Sequence, residues 1–267
     1  MYDTHCHLTF REFAGRTGEV LDRAAAAGVR GVVTVSTSSG NAEACLRLAE
    51  DDPRVRCTSG VHPLYADEPV DWDVIRRCAE SPLCVAWGEL GRDRHYREPA
   101  ADVQERVLHQ HLAVIEAARA DGIDKPVVVH CREAFAELVP TLRDSSIPGD
   151  RFVFHCFTAG PDEARMVLDL GAMISFTGVL SFRNAPEVRD AAALVPDDRI
   201  MVETDAPFLS PEPHRKVFPC EPAFVVHVAE RLAEVRGVPL PELERTLDAN
   251  AERFFDLGAP ALEEQRP

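Results

Sequence analysis

A chain of 267 residues, 45% hydrophobic and 28% charged, carries enough apolar material to bury a sizeable core and is neither disordered nor fibrous in composition. Its 45 acidic and 29 basic residues leave a net charge of −16, which excludes a broad basic surface for gripping duplex nucleic acid, so any phosphate ligand must be attracted locally. The first residues show no basic region followed by an apolar stretch, no run approaches a membrane span, and the eight cysteines form no Cys-x-x-Cys pair, so a cytoplasmic protein with no membrane partner is expected.

Taken in chain order, short β-rich apolar runs alternate with longer helical patterns. The runs are Tyr2 to His5, Gly31 to Ser36, Val55 to Ser59, Leu83 to Gly88, Pro126 to His130, Arg151 to His155, Ala172 to Phe176 and Arg199 to Glu203. Between them, apolar residues recur at three and four over Asn41 to Glu50, Ala101 to Asp121, Asp162 to Leu170 and Ala185 to Leu194. Two helices close the chain. Pro222 sits near the start of the first, whose stripe is Phe224, Val228, Leu232 and Val235 and which Gly237 ends; Pro241 begins the second, which carries Leu243, Leu247, Phe254 and Phe255 to Gly258. Repeated βα units of this kind predict an α/β fold, a (β/α)₈ TIM barrel in a single domain over residues 1–257. Residues 258–267 lose apolar periodicity and are predicted to be a flexible tail.

In a parallel barrel, chemistry is built at the C-terminal ends of the strands. His5 and His7 end the first run, Gly60-Val61-His62-Pro63 follows the third, Glu89 ends the fourth, His130 the fifth, His155 the sixth and Glu203-Thr204-Asp205 the eighth. Residues two apart on an extended segment point the same way, so His5 and His7 can reach one ion while Cys6 faces away. The same parity turns Cys131 and Cys156 away from the neighbouring histidines, leaving all three cysteines as small buried hydrophobes. His109 and His111 share the spacing but fall inside a helix, where positions two apart diverge by about 200°, so they are assigned to surface or packing. His227 is read as a packed histidine, and His95 and His214 as exposed loop residues.

His5, His7, His130 and His155 with Glu89 and Asp205 bring imidazole and carboxylate, the ligands of divalent first-row metals and Mg²⁺, to the ends of five strands. Six ligands suit two ions better than one, zinc, magnesium, manganese or iron, with Glu89 as the bridge. A carbamylated lysine bridge is excluded by position, since the only lysines are Lys125, before its strand, and Lys216, in a loop beyond the eighth. Simpler roles stand beside these: Asp205 capping a helix, His62 ordering the turn before Pro63, Glu89 pairing with an arginine.

These residues fall in motifs that resemble the TatD family of metal-dependent deoxyribonucleases, within the amidohydrolase-like barrels. The motifs are Asp3-Thr4-His5-Cys6-His7-Leu8, Gly60-Val61-His62-Pro63, Gly88-Glu89-Leu90-Gly91 with Asp93, Pro126 to Arg132, His155-Cys156-Phe157-Thr158, Ser175-Phe176-Thr177-Gly178 and Glu203-Thr204-Asp205-Ala206-Pro207. The resemblance implies that His5, His7, Glu89 and Asp205 surround one metal and Glu89, His130 and His155 the other, with His62 on a phosphate and Arg132 facing the substrate channel. Two positions depart from it: Arg92 stands where the family has leucine, and Cys220 where it has the asparagine of Asn-Glu-Pro.

The expected activity is metal-dependent hydrolysis of a phosphodiester, exonucleolytic on single-stranded DNA or a free end. A water acidified by the ions attacks phosphorus and Asp205 accepts its proton, while Glu89 holds the ions. His62, with Arg132 or Arg92, orients the phosphate; Tyr96, Phe157 and Phe182 are candidates to stack bases. An amidohydrolase acting on a small amide, lactone or ester is the alternative, and a non-catalytic metal-binding barrel a second. No obligate protein partner is readable.

Overall fold

Eight parallel strands pair in sequence order in the computed structural model, which describes residues 1–257. They are β1 (Tyr2–Cys6), β2 (Gly31–Thr34), β3 (Val55–Ser59), β4 (Cys84–Asp93), β5 (Val127–Arg132), β6 (Phe152–Phe154), β7 (Met173–Phe176) and β8 (Ile200–Val202). The helices between and after them are α1 (Thr17–Ala26), α2 (Ser39–Asp51), α3 (Trp72–Glu80), α4 (Ala101–Ala120), α5 (Phe135–Arg143), α6 (Pro161–Leu170), α7 (Pro186–Leu194), α8 (Val225–Arg236) and α9 (Leu240–Phe255). This is the predicted TIM barrel. The sheet closes where β1 meets the segment after β8: Asp205 N–H donates to the His5 carbonyl at 2.9 Å, and His7 N–H donates to the Ala206 carbonyl at 2.7 Å. Closure therefore runs through the backbones of His5, His7 and Asp205.

Alternation sorts each strand into two cores. Val127 and Val129, Phe152 and Phe154, Ile174 and Phe176, and Ile200 and Val202 face outward and pack in the large cluster shared with the helices. Val128, Val153, Met173 and Met201 face the barrel axis, where Phe254, Phe255 and Leu257 at the end of α9 plug the lower opening. Asn250 of α9 ties that plug down, donating to the carbonyls of Asp197 at 2.7 Å and Ile200 at 2.8 Å. With one end of the axis filled by apolar side chains, the next inward positions at the other end, His130 after Val128 and His155 after Val153, open onto a cavity.

The helices read from periodicity are all present, with ends shifted by a residue or two. The closing helix stops at Phe255, with Asp256 left-handed at φ +51°; Gly258 and the predicted tail lie outside the described residues. Sequence reading ended the fourth strand at Gly88, whereas β4 continues to Asp93 and pairs with β5 as far as Arg132. Trp87 and Leu90 both pack outward, an odd spacing that simple alternation forbids. A bulge absorbs it: β4 advances from Trp87 to Leu90 while β5 advances only from Val127 to Val129. The inserted residue is what leaves Glu89 facing inward.

Candidate metal centre

Glu89 sits at the centre of the mouth, 1% exposed, with no arginine near it. The two carboxylate oxygens face different rings, Oε2 also lying 3.7 Å from His62 Nε2. Oε1 lies 3.7 Å from His5 Nε2 and 3.6 Å from His7 Nε2, and Oε2 lies 3.4 Å from His130 Nδ1 and 2.8 Å from His155 Nε2. Neither oxygen takes a well-directed hydrogen bond. Asp205 joins the first pair, its Oδ1 3.4 Å from His7 Nε2 and 3.7 Å from His5 Nε2, and the two ring nitrogens are 3.3 Å apart. Ligand atoms about 2.1 Å from one ion at tetrahedral angles lie about 3.4 Å from each other. The donor set on the first side has that spacing, so the residues fit a divalent cation, and a buried carboxylate among five rings is otherwise costly to keep ionised.

The groups behind the rings decide which nitrogen is free to bind. His7 Nδ1 lies 3.1 Å from the Val35 carbonyl, and a carbonyl accepts only from N–H, so the lone pair of His7 is on Nε2, toward Glu89 and Asp205. His130 Nε2 lies 3.0 Å from Asp93 Oδ2, which puts the His130 lone pair on Nδ1, toward Glu89 Oε2. His155 Nδ1 faces Glu203 Oε1 at 3.5 Å and leaves Nε2 for the same oxygen. His62 is different. Its Nδ1 accepts from the Leu64 N–H at 2.9 Å, so the neutral ring carries its proton on Nε2, which donates to His130 Nδ1 at 3.1 Å on the cavity wall. Burial pushes His62 down to about 3, which keeps it neutral. That makes His62 a hydrogen-bond donor to an anion and unsuited to bind metal, even though His62, Glu89 and His130 form one of three triads whose ligand atoms lie within 4.8 Å, beside His5–His7–Asp205 and His5–His155–Glu203.

Charges reinforce the arrangement. Burial by itself would raise Glu89, yet the surrounding imidazoles, His155 and His130 among them, hold it well below the usual carboxylate range. Burial would lower His155, but Glu89 and Glu203 raise it well above an ordinary histidine. Asp205 is likewise held low, against burial, by His7 and His5.

The simpler roles fare unevenly. No helix follows Asp205, so it caps none; His62 does order the turn at Pro63–Tyr65 while also facing the cavity. Arg132 and Tyr96 both line the cavity, the guanidinium 5.4 Å over the ring. Arg92 does not reach it. Arg92 points outward with Leu90, its Nη2 3.1 Å from Glu105 and Nη1 3.7 Å from Glu137, because β4 stays regular after its bulge. Arg92→Leu is accordingly expected to leave kcat/KM unchanged and the melting temperature unchanged or higher, since it removes a buried charge whose Nε has no partner; thermal melts and initial rates check this.

Of the proposed stacking residues, Phe157 is buried in the core at 1% exposure, Phe182 lies half-buried beneath Arg215, and only Tyr96 is open, at 50%. Cys6 faces the Val33 carbonyl as parity requires. Cys156 departs from it: β6 ends at Phe154, and Cys156, left-handed at φ +46°, lies on the cavity wall with Sγ 3.9 Å from Thr177 Oγ1. His109 is exposed and His111 fully buried against Trp72 and Trp87, one of each alternative.

Two acids without a role in the sequence reading stand behind the rings, Asp93 and Glu203. Asp93 lies past the predicted end of its strand, and Glu203 was collected as a strand end but its direction was not legible. Asp93→Asn is expected to weaken metal binding about 10–100-fold, because an amide can donate to His130 Nε2 and shift the ring proton onto Nδ1; competition with a chromophoric chelator measures it.

A parallel barrel with imidazoles and carboxylates converging at its C-terminal mouth defines a metal-dependent hydrolase. The chain belongs to the TatD related DNase family, which matches residues 2–256. It is 37% identical to the uncharacterized metal-dependent hydrolase YcfH of Escherichia coli K12, over 100% of this chain and 99% of that one. It is 35% identical to a protein of Pantoea vagans named 3'-5' ssDNA/RNA exonuclease TatD, covering 96% and 100%. Among solved structures, the TatD homolog YJJV of Escherichia coli K12 superposes with a TM-score of 0.89 at 28% identity, covering 96% and 98%.

Proposed function

We propose that this protein is a two-metal exonuclease that removes nucleotides from a free end of single-stranded nucleic acid, DNA first. The observation that carries the reading is the division of Glu89, one oxygen toward His5 and His7 and the other toward His130 and His155. His5, His7, Asp205 and Glu89 hold one cation, and His130, His155 and Glu89 the second. Divalent cations in these positions acidify water and offset charge building on a phosphate. Asp205, held ionised and on the cavity wall, takes the proton of the attacking water. His62 donates its Nε2 proton to a phosphate oxygen, and Arg132, which also lines the cavity, adds positive charge. Asp93 and Glu203 keep the two rings of the second side in register.

A cavity of about 540 Å³ closed below by the α9 plug admits a chain end and cannot pass a strand through. That supports exonucleolytic attack. The relatives named as single-strand exonucleases support the same substrate. Eight unpaired cysteines suit a reducing compartment, so we place the enzyme in the cytoplasm. Within the described residues no helix is long and apolar enough to cross a membrane.

The test is a panel: metal-reconstituted protein with end-labelled single-stranded DNA, duplex DNA, RNA, and cyclic amides and lactones. Nucleotides released one at a time from single strands are expected. Turnover of the amides or lactones with intact nucleic acid would overturn the reading in favour of a small-molecule amidohydrolase.

A further inference from the structure

The exposed large hydrophobic side chains among the described residues are few, and all lie in two loops at the C-terminal ends of strands: Tyr96 at 50%, Phe208 at 44%, Val217 at 45% and Phe218 at 65%. Three belong to the loop after β8. Phe208 and Leu209 line the cavity at its inner end, Ser210 Oγ donates to the Val217 carbonyl at 2.6 Å, and the Glu212 N–H donates to Ser181 Oγ at 2.9 Å. The loop is thus laced to the turn Gly178–Ser181 after β7, so its exposed face is a fixed surface that begins at the cavity edge.

Cations stand beside these side chains. Some arginines elsewhere are paired, as Arg23 with Glu221, Arg54 with Asp52 and Arg94 with Glu137, and others, such as Arg47, Arg143 and Arg245, are exposed without an ion pair but have no open aromatic ring beside them in sequence. Arg183, Arg215 and Lys216 are exposed and join no ion pair among the described residues. Arg215 is held flat, its guanidinium carbon 3.5 Å over the Phe182 ring. On a chain of net charge −16, what distinguishes these three cations is that they stand beside open aromatic faces, a juxtaposition that suits a ligand carrying both negative charge and flat rings. Phosphate and base alternate in single-stranded nucleic acid as cation and aromatic ring alternate here, and base stacking needs no particular sequence.

We propose that the loop from Phe208 to Phe218, with Phe182 and Arg183, is a track for the single strand outside the cavity. Arg183, Arg215 and Lys216 contact successive phosphates, while Phe208 and Phe218 stack bases. The proposal rests on the nuclease reading only for the identity of the strand. Binding can be measured without cleavage.

The experiment is fluorescence anisotropy of a labelled 20-nucleotide oligothymidylate in EDTA, across a salt series. The Arg215→Ala/Lys216→Ala double variant is expected to bind about tenfold more weakly, and its slope of log affinity against log salt to fall by about 1.4, at roughly 0.7 per lost phosphate contact. Phe218→Ala is expected to bind at least about fivefold more weakly at unchanged slope. Arg47→Ala/Arg245→Ala removes the same charge from the last part of α2, which leads to the start of β3, and from α9, whose end plugs the lower opening, and is expected to leave the slope as it is. Equal slopes for the two double variants would overturn the track, as would a Phe218→Ala variant that binds DNA at full strength but converts a dimer to a monomer, which would assign the face to a second copy of the chain. A strand that binds with the expected slope yet is not cleaved by the metal-loaded enzyme confirms the track and refutes the nuclease reading; cleavage with no loss of binding in the loop variants does the reverse.

Discussion

Glu89→Ala is expected to lower kcat/KM at least about 10³-fold and, on the proposed two-ion site, to reduce bound metal from two ions per chain to at most one. The magnitude follows from position. Removing a single preorganised hydrogen-bond donor to a transition state costs about 10²–10³-fold, and Glu89 serves both halves of the site at once. Its loss leaves His5 and His7 with Asp205 alone and leaves His130 and His155 with no carboxylate oxygen between them. The metal-free protein changes too, since the field of Glu89 is the leading contribution holding His155 protonated against burial. Glu89→Gln separates charge from shape: it keeps one acceptor oxygen, so partial metal retention with activity still lost at least about 10²-fold is expected. Metal analysis and single-turnover rates on both variants check the assignment. Two ions retained at undiminished affinity in Glu89→Ala would show that Glu89 does not bridge.

Much of this site was legible before the fold was seen, and the reason is geometric. Strand ends in a parallel barrel converge, so His5, His7, His130, His155 and Asp205 could be gathered by position alone, and parity placed Cys6 on the other side, whereas Cys131 borders the cavity. What was not legible depends on irregularity. Arg92 draws attention as a departure from the family motif beside Glu89, but with β4 running regularly from Leu90 to Asp93 it must face α4 and α5. The same extension brings in Asp93, whose role depends on standing inside a strand beside His130. Phe157 could not be told from a stacking residue, because the burial of an aromatic after a strand depends on packing against Phe135 and Phe176 from distant segments. Pro140 inside α5 hid that helix from its periodicity. Ring tautomers, which leave His62 Nε2 a donor and turn the His7 lone pair toward Glu89 and Asp205, depend on backbone groups at Leu64 and Val35 that no spacing rule names.

Gly91→Ala destabilises the fold by more than about 4 kcal/mol, beyond the range of ordinary substitutions. Gly91 adopts φ +149°, a conformation that side chains rarely enter, and a Cβ built there falls 1.9 Å from the His130 carbonyl oxygen. The obstacle is backbone, so no rotamer change relieves it. Gly60 has the same difficulty, its Cβ falling 2.4 Å from Gly88 Cα. Both contacts lie beside the β4 bulge, where β3, β4 and β5 must approach closely for Glu89 to sit between the rings of β1 and those of β5 and the segment after β6. Strain and site are therefore linked. A variant that relieves the clash by parting β4 from β5 must move His130 away from Glu89 and Asp93. Urea unfolding of Gly91→Ala gives the loss of stability, and metal titration under native conditions gives the linkage: any folded fraction is expected to bind its second ion at least about tenfold more weakly. A variant with parental stability and parental metal affinity would show that the close approach at Gly91 does not shape the site.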